Sequence, residues 1–192
     1  MKKFRLVFIS LAVLMLVGCA AGTNFKKLEE NQLVLGKTTK EKVLMAMGEP
    51  NTTGIAEFNG VEVEIINYSY ASLSDEAVNP GITPARSQGL FFVDGTLVGK
   101  NYSSSFKVDN TSFDKELART IKEGQSKSEV IKILGQSRSQ QIYPLVNDKD
   151  GSAIIYMLTQ TKGVKFKQDM LIVEFNSEDI VTKSSFSSSG QF

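Results

Sequence analysis

The sequence predicts an α+β protein of two tandem repeats, each with two short helices followed by about four antiparallel strands. Three observations support this fold class: matched residues recur at one constant distance, helix start and stop signals recur with them, and hairpin signals follow in both halves. A constant offset of this length is typical of an internal duplication. The pairs that lie 88 positions apart are Asn24-Phe25 with Ser112-Phe113, Gly36 with Gly124, and Tyr68 with Tyr156.

The start of each predicted repeat carries signals for two helices. Asn24 and Ser112 can cap the first helix of each repeat, and Gly36 and Gly124 can end it because glycine tolerates a positive φ. A second helix with an apolar face and a glycine stop follows in both repeats. The residues of these faces and stops are Val43, Leu44, Met47 and Gly48 in the first repeat, and Val130, Ile131, Leu134 and Gly135 in the second.

Strand signals occupy the remainder of each repeat. Asn59-Gly60, Asp94-Gly95 and Asp150-Gly151 are two-residue hairpin signals, and residues 176–179 form a further turn signal. Helices followed by antiparallel strands indicate a layer of helices over a sheet. The predicted division is a first module over residues 24–108, a second module over residues 109–186 and a Ser-rich tail over residues 187–192.

The N-terminal segment resembles a bacterial lipoprotein signal. Residues 1–18 combine a basic start with the apolar run LVFISLAVLMLV, which is too short to span a bilayer as a helix. Cys19, the only cysteine, follows in LVGC, which resembles a lipobox, so residues 19–23 would form a lipidated N-terminus and linker. Two or more acyl chains anchor a protein stably. With Ala20 in place of an aspartate, this pattern favours the outer membrane, on the side that faces the periplasm.

Composition narrows the classes of function. The chain has 192 residues and a net charge of +1, and removal of residues 1–18 leaves 19 basic and 21 acidic residues, so nothing indicates a nucleic-acid partner. The chain has no histidine, which excludes Ser-His and Cys-His catalysis and His-based zinc sites. Asn147–Gly151 looks like part of a calcium loop, but Val146 and Met157 stand where that loop needs carboxylates. We therefore predict no enzyme, no cofactor and no metal site.

A short motif recurs around the helix glycines, and its spacing resembles that of the SmpA/OmlA (BamE-like) lipoprotein family. The family pattern runs Gly-x-Thr, three residues, Val, three residues, then Leu-Gly-x-Pro. The second copy has Ser for Thr and no proline, the first has one extra residue and Met for Leu, and the chain has no tryptophan. The doubled plan is also similar to the beta-lactamase inhibitor proteins. The matching residues are Gly36, Thr39, Val43, Met47, Gly48 and Pro50, and Gly124, Ser126, Val130, Leu134 and Gly135.

The predicted function is that of a non-enzymatic scaffold in the cell envelope. The resemblance implies that the chain is held at the membrane by its N-terminal lipid and binds another envelope protein, in outer-membrane assembly or maintenance or at an envelope enzyme. One alternative is an inhibitor or ligand-binding protein that uses the groove between the two modules. Another is an enzyme that relies on carboxylates or lysines. The oligomeric state is left open.

Two connecting segments, Ser72–Gln88 and Thr161–Asp169, are not explained by packing and differ in length and charge. Binding residues often lie on loops that a rigid frame holds, so these segments form the predicted partner site. An aromatic side chain flanked by cations suits an interface hot spot, although such a cluster could also contact lipid headgroups. The predicted contact residues are Arg86, Lys165, Phe166 and Lys167.

The lipobox generates the first testable prediction. Replacement Cys19→Ser removes the only thiol that can be acylated, so the variant should carry no acyl label and should leave the membrane fraction. Metabolic labelling with a fatty acid and fractionation of cells measure both effects. Unchanged membrane recovery of an unlabelled variant would contradict the prediction.

Overall fold

The computed structural model describes residues 21–192. All nine strands of this part of the chain belong to a single antiparallel sheet. The predicted signal segment, residues 1–18, and the predicted lipidation site Cys19 lie outside the described residues. Within residues 21–192, no helix is both long enough and apolar enough to cross a membrane.

Residues 21–192 form three short α-helices and nine strands. The helices are α1 (Lys40–Met47), α2 (Lys115–Ala118) and α3 (Lys127–Leu134), and a 3-10 turn covers Glu30–Gln32. The strands are β1 (Ala21–Gly22), β2 (Thr52–Phe58), β3 (Val61–Ala71), β4 (Ala85–Val93), β5 (Thr96–Ser104), β6 (Ser139–Ile142), β7 (Ser152–Lys162), β8 (Lys165–Phe175) and β9 (Val181–Gly190). Strands β3 to β9 are neighbours in chain order, and β1 and β2 both pair with β3.

The predicted fold class of two tandem repeats, each with two helices, is wrong. The strands of both halves form one sheet, and the segment predicted as the first helix contains only the 3-10 turn. Phe25, Leu28 and Leu33 of that segment are buried. Leu28 and Leu33 are five positions apart, which places them on different faces of a helix, so burial of both favours an irregular path. The module boundaries at 24–108 and 109–186 are untested and stay a prediction.

Two residue pairs join the halves of the sheet. Gly99 of β5 pairs with Gln141 of β6, and Lys100 pairs with Gln140. Without this pairing, β5 and β6 would each present an unpaired row of backbone N–H and C=O groups. Joining the two strands satisfies these groups, which explains why one sheet replaces two.

Serine side chains extend the joint beyond those two pairs. The Oγ atom of Ser139 accepts a hydrogen bond from the backbone N–H of Tyr102 at 2.8 Å. The Oγ atom of Ser103 accepts one from the backbone N–H of Thr159 at 2.9 Å. Because buried backbone donors need partners, these hydroxyl groups hold β5 to the first residue of β6 and, beyond that residue, to β7.

The helices pack on one face of the sheet, which we call the helix face. In both halves a tyrosine hydroxyl donates to the carbonyl of the glycine that ends a helix: Tyr68 to Gly48 and Tyr156 to Gly135, each at 2.7 Å. Two hydrophobic clusters fill the space between the helices and the sheet. The first contains Phe25, Leu28, Leu33, Val43, Ile66, Tyr68, Leu90, Phe92 and Leu97, and the second contains Ala118, Ile121, Val130, Ile154, Tyr156, Leu171, Val173, Phe175 and Val181.

The segment between β6 and β7 reaches the β2–β3 turn. Asn59 and Gly60 have φ angles of 49° and 75°, as a type I′ hairpin requires. The Asn59 side chain donates to the carbonyl oxygens of Pro144 and Val146 at 2.9 and 3.1 Å. The predicted two-residue hairpin at Asp150-Gly151 is therefore wrong, because β6 ends and β7 begins on either side of a longer connection that holds the two halves together.

The joint between β5 and β6 generates a stability prediction. A Cβ atom on Gly99 would overlap the Leu145 side chain and would lie 3.2 Å from Phe91 Cδ2. Replacement Gly99→Val should therefore lower the free energy of unfolding by about 1–3 kcal/mol, the usual range for overpacking. Chemical denaturation measures the change.

Gly54 supplies the matched control, since it lies in edge strand β2 and a Cβ there would meet no atom within 4 Å. Replacement Gly54→Val should leave stability unchanged or raise it. Adding Leu145→Ala to Gly99→Val should cost less than the sum of the single changes. Full additivity would show that the valine introduced at position 99 does not clash with Leu145.

Candidate functional site

The structure shortens both segments that the sequence predicts as binding loops. Strand β4 begins at Ala85, so Arg86 lies on a strand. Strands β7 and β8 continue to a two-residue turn, Gly163-Val164, in which only Gly163 has a positive φ, of 58°. This pattern matches a type II′ hairpin. Lys165, Phe166 and Lys167 therefore lie on the first residues of β8, at the tip of a long hairpin.

The two segments nevertheless meet at the same end of the sheet. The backbone N–H of Thr83 donates to the carbonyl of Thr161 at 2.8 Å, which links the 72–84 connection to the β7–β8 hairpin. The connection is also held by bonds from the backbone N–H of Ser72 to Pro84 O at 3.0 Å and of Val78 to Ser105 O at 2.8 Å. We call this end of the sheet, formed by the 72–84 connection and the β7–β8 tip, the hairpin end.

Arg86 is engaged inside the protein at the hairpin end. Its guanidinium forms an ion pair with Asp109 at 3.4 Å, donates to the backbone carbonyl of Phe25 at 3.2 Å and donates to the side chain of Asn24. It also lies 5.2–5.7 Å from the ring centres of Phe25, Tyr70 and Phe106. These contacts give Arg86 a structural role, and its contact with a partner stays a prediction, as do those of the hairpin-tip residues.

Asp109 is the centre of this polar cluster, and no motif in the sequence indicated it. Ser104 Oγ donates to one carboxylate oxygen at 2.5 Å, and Tyr102 Oη donates to the other at 2.6 Å. Burial raises the pKa of Asp109, but these two bonds and the charges of Arg86 and Lys27 outweigh it, so the pKa lies below its usual value of 3.8. The carboxylate is therefore charged at neutral pH.

The cluster also fixes the protonation of its tyrosine. Burial, and then the hydrogen bond to Asp109, raise the pKa of Tyr102 far above its usual value, so the phenol keeps its proton and acts as a donor. Burial likewise raises the pKa of Tyr156 to about 12. Neither phenol is prepared to act as a base, because an activated catalytic group needs its pKa near the working pH.

A cavity of about 290 Å³ opens on the face of the sheet opposite the helices, near the hairpin end. Because side chains alternate along a strand and Tyr68 faces the helices, Ser69 and Ala71 face the other way, as do their cross-strand partners Ser87 and Ala85. The small side chains leave a depression in the helix-free face. The lining residues are Gly22, Ser69, Tyr70, Ala71, Ala85, Arg86, Ser87, Ser103, Thr159 and Thr161.

A second cavity lies in the groove between the two halves, where the alternative function was predicted. Its volume is about 160 Å³, well below the range of about 300–1,000 Å³ that is usual for small-molecule sites. Arg138, which lines it, is held over the Tyr102 ring at 5.5 Å and donates to Asp109 O at 3.3 Å. The groove is thus occupied largely by the protein's own contacts.

Carboxylates do not converge into a metal site in the part of the chain that the structure describes. No group of three or more Cys, Asp or Glu residues between positions 21 and 192 is placed to hold a metal ion. The cavity on the helix-free face has no carboxylate or lysine in its lining.

The solved structures similar to this chain include the "putative beta-lactamase inhibitor protein" of Streptococcus mutans. The chains are 16% identical, with a TM-score of 0.43, and the match covers 78% of this chain and 82% of that chain. At this TM-score the likeness carries no argument about this chain. No protein-family model and no characterised protein matches the sequence. The resemblance to the SmpA/OmlA family therefore stays a prediction.

The cluster around Asp109 generates a prediction about pH and stability. Replacement Asp109→Asn removes the ion pair with Arg86, so the free energy of unfolding at pH 7 should fall by about 1–3 kcal/mol. Because the folded-state pKa is lowered, this contribution is complete above pH 3.8 and is lost as the pH falls through the folded value. The variant should thus lose less stability than the wild type in that acid range.

Denaturation at a series of pH values measures both effects. Glu76 and Glu129, whose pKa values are also lowered, remain in the variant and leave some acid dependence. Asp75→Asn, at an exposed carboxylate, is the control and should change stability by less than about 0.5 kcal/mol. Parallel stability curves for the wild type and Asp109→Asn would contradict the proposed charge on Asp109.

Proposed function

We propose that this protein is a lipid-anchored, non-enzymatic protein of the cell envelope that binds another protein through its helix-free face. The observation that carries the proposal is the cavity of small side chains in that face. A partner can insert one apolar side chain into such a depression, and interface hot spots usually consist of an anchor in a pocket. The anchor at Cys19, the periplasmic side of the outer membrane and a role in outer-membrane assembly or maintenance belong to the same proposal.

The surroundings of the cavity support a protein partner. Met157, Met170 and Ile172 are half-buried on the helix-free face, and Ser185 and Ser187 are exposed beside them on β9. An apolar centre with a polar rim is the usual composition of a protein interface. Methionine is common at binding surfaces because its long, unbranched side chain adapts to the partner.

The size of the cavity favours a side chain over a small-molecule ligand. At about 290 Å³ it lies at the lower limit of small-molecule sites, and the one charged group in its lining, the guanidinium of Arg86, is already paired with Asp109. An isolated depression in a broad sheet face instead matches the way in which one residue of a protein partner is recognised. The rest of the face then supplies contact area.

The test fills the cavity. Ser87 is exposed and lies between Ser69 and Ser103 in the sheet, so Ser87→Trp places a large ring in the depression without burying a new group in the core. Loss of a hot-spot contact reduces affinity by about 30-fold, and capture of the partner by crosslinking in intact cells should fall accordingly. Mass spectrometry identifies the captured protein.

Ser177→Trp is the matched control, because Ser177 is exposed in the turn between β8 and β9 and neither lines the cavity nor lies on the helix-free face. It should retain capture, and both variants should unfold at the same denaturant concentration as the wild type. Equal capture by wild type and Ser87→Trp would show that the cavity is not the binding site. Failure of the wild type to capture any protein would overturn the proposed function itself.

A further inference from the structure

We propose that the hairpin end of the sheet rests on a phospholipid surface that carries anionic headgroups. This inference rests on the proposed lipid anchor and adds a second membrane contact to it, made by the folded domain. The contact would fix the orientation of the sheet relative to the membrane.

The chain enters the sheet at the hairpin end. Ala21 pairs with Ala71, the last residue of β3, and Ala71 pairs with Ala85, the first residue of β4. A residue of an extended chain spans at most about 3.6 Å, so Cys19 lies within about 7 Å of Ala21 along the chain. Acyl chains on Cys19 would therefore hold this end of the domain close to the bilayer.

Large apolar side chains are exposed at the same end. Burial does not account for them, and exposed apolar groups that cluster usually mark a contact surface. A hairpin tip with an apolar side chain can enter the headgroup region while its backbone hydrogen bonds stay satisfied within the hairpin. The exposed fractions are 65% for Leu73, 90% for Val108, 101% for Val164 and 56% for Phe166.

Three lysines surround the apolar tip. Lys162 and Lys165 are direct cross-strand partners, and Lys167 pairs with Gln160 one step further along the helix face. Like charges placed directly opposite each other destabilise a hairpin. No ion pair within residues 21–192 involves these three lysines. Anionic headgroups would supply the counter-charge that the protein does not.

Acidic residues are sparse at the hairpin end and frequent at the opposite one. At the hairpin end Asp75 and Glu76 are exposed, Glu76 is paired with Lys107 at 2.8 Å, and Asp109 is paired with Arg86 at 3.4 Å. The opposite end carries the β4–β5 and β8–β9 turns and the connection between β6 and β7. Its acidic residues are Asp94, Asp148, Asp150, Glu178 and Asp179. This polarity turns the acidic end away from an anionic surface.

The absence of tryptophan from the chain permits a direct test of membrane contact. The full protein with Val164→Trp is reconstituted into vesicles that contain brominated phospholipids, which quench tryptophan fluorescence on contact. We expect strong quenching and a blue-shifted emission. Met45→Trp is the matched control, because Met45 is exposed on α1, which contacts the β4–β5 turn at the other end of the sheet; it should not be quenched.

The role of charge is tested without the anchor. The Cys19→Ser chain is mixed with vesicles of zwitterionic and anionic phospholipids, and vesicles of phosphatidylcholine alone serve for comparison. Binding should require the anionic lipid, should fall with added salt and should drop about fivefold for each lysine replaced in Lys162→Gln and Lys165→Gln. Replacements Lys37→Gln and Lys42→Gln, at exposed lysines near α1, should leave binding unchanged.

The outcomes separate the two proposals. Loss of acyl label from the wild type would overturn the anchor, while the vesicle experiment with Cys19→Ser still decides the second contact. Equal quenching at positions 164 and 45, or binding that ignores anionic lipid, would overturn the membrane contact. Loss of protein capture in cells by Val164→Ser with Phe166→Ser, without any effect on vesicle binding, would assign the tip to a protein partner and would also overturn it.

Discussion

The short pairing of β5 with β6 is the constraint on which the rest of the structure depends. It merges the strands under two separate hydrophobic clusters into a single sheet, although only two residue pairs connect them. Such a joint holds because other groups reinforce it: serine hydroxyls accept hydrogen bonds from backbone donors at the start of β6 and beyond it, and the connection between β6 and β7 is bonded to Asn59. Gly99 lets Leu145 approach the strand, so backbone, side chain and connection meet at one point.

A continuous sheet places several features of different origin at one end. The entry of the chain, the β7–β8 tip, the 72–84 connection and the cavity of small side chains all belong to the hairpin end or border it. Arg86 and Asp109 stabilise this region from the helix face, because they connect β4, β5 and the segment that follows β5. The half-buried charges of Arg86 and Asp109 therefore hold the hairpin end in place, and exposed small and apolar residues form its surface.

Local signals predicted the elements that local chemistry controls. Gly48 and Gly135 end α1 and α3 as the sequence indicated, but the predicted caps Asn24 and Ser112 cap none of the described helices, and Asp114 caps α2. The turn at Asn59-Gly60 is a tight hairpin, as its φ angles require. Asp150-Gly151 has the same sequence signal but a different structure, because the contact of its connection with the distant β2–β3 turn outweighs the preference of two residues. For the candidate site, the sequence drew attention to the hairpin tip but gave no indication of the cavity, since serine and alanine in strands become a cavity only when three strands align them.

The sequence by itself determined the tight turn at Asn59-Gly60, the glycine stops and apolar faces of α1 and α3 and the absence of histidine chemistry, because each depends on neighbouring residues or on composition alone. Only the tertiary structure decided that the strands form one sheet, that Arg86 turns inward to Asp109 and that the 72–84 connection reaches the β7–β8 hairpin. These outcomes depend on pairing between residues far apart in the chain. Edge strands must satisfy their backbone groups and buried charges must find partners, and which partner is available is a property of the folded molecule.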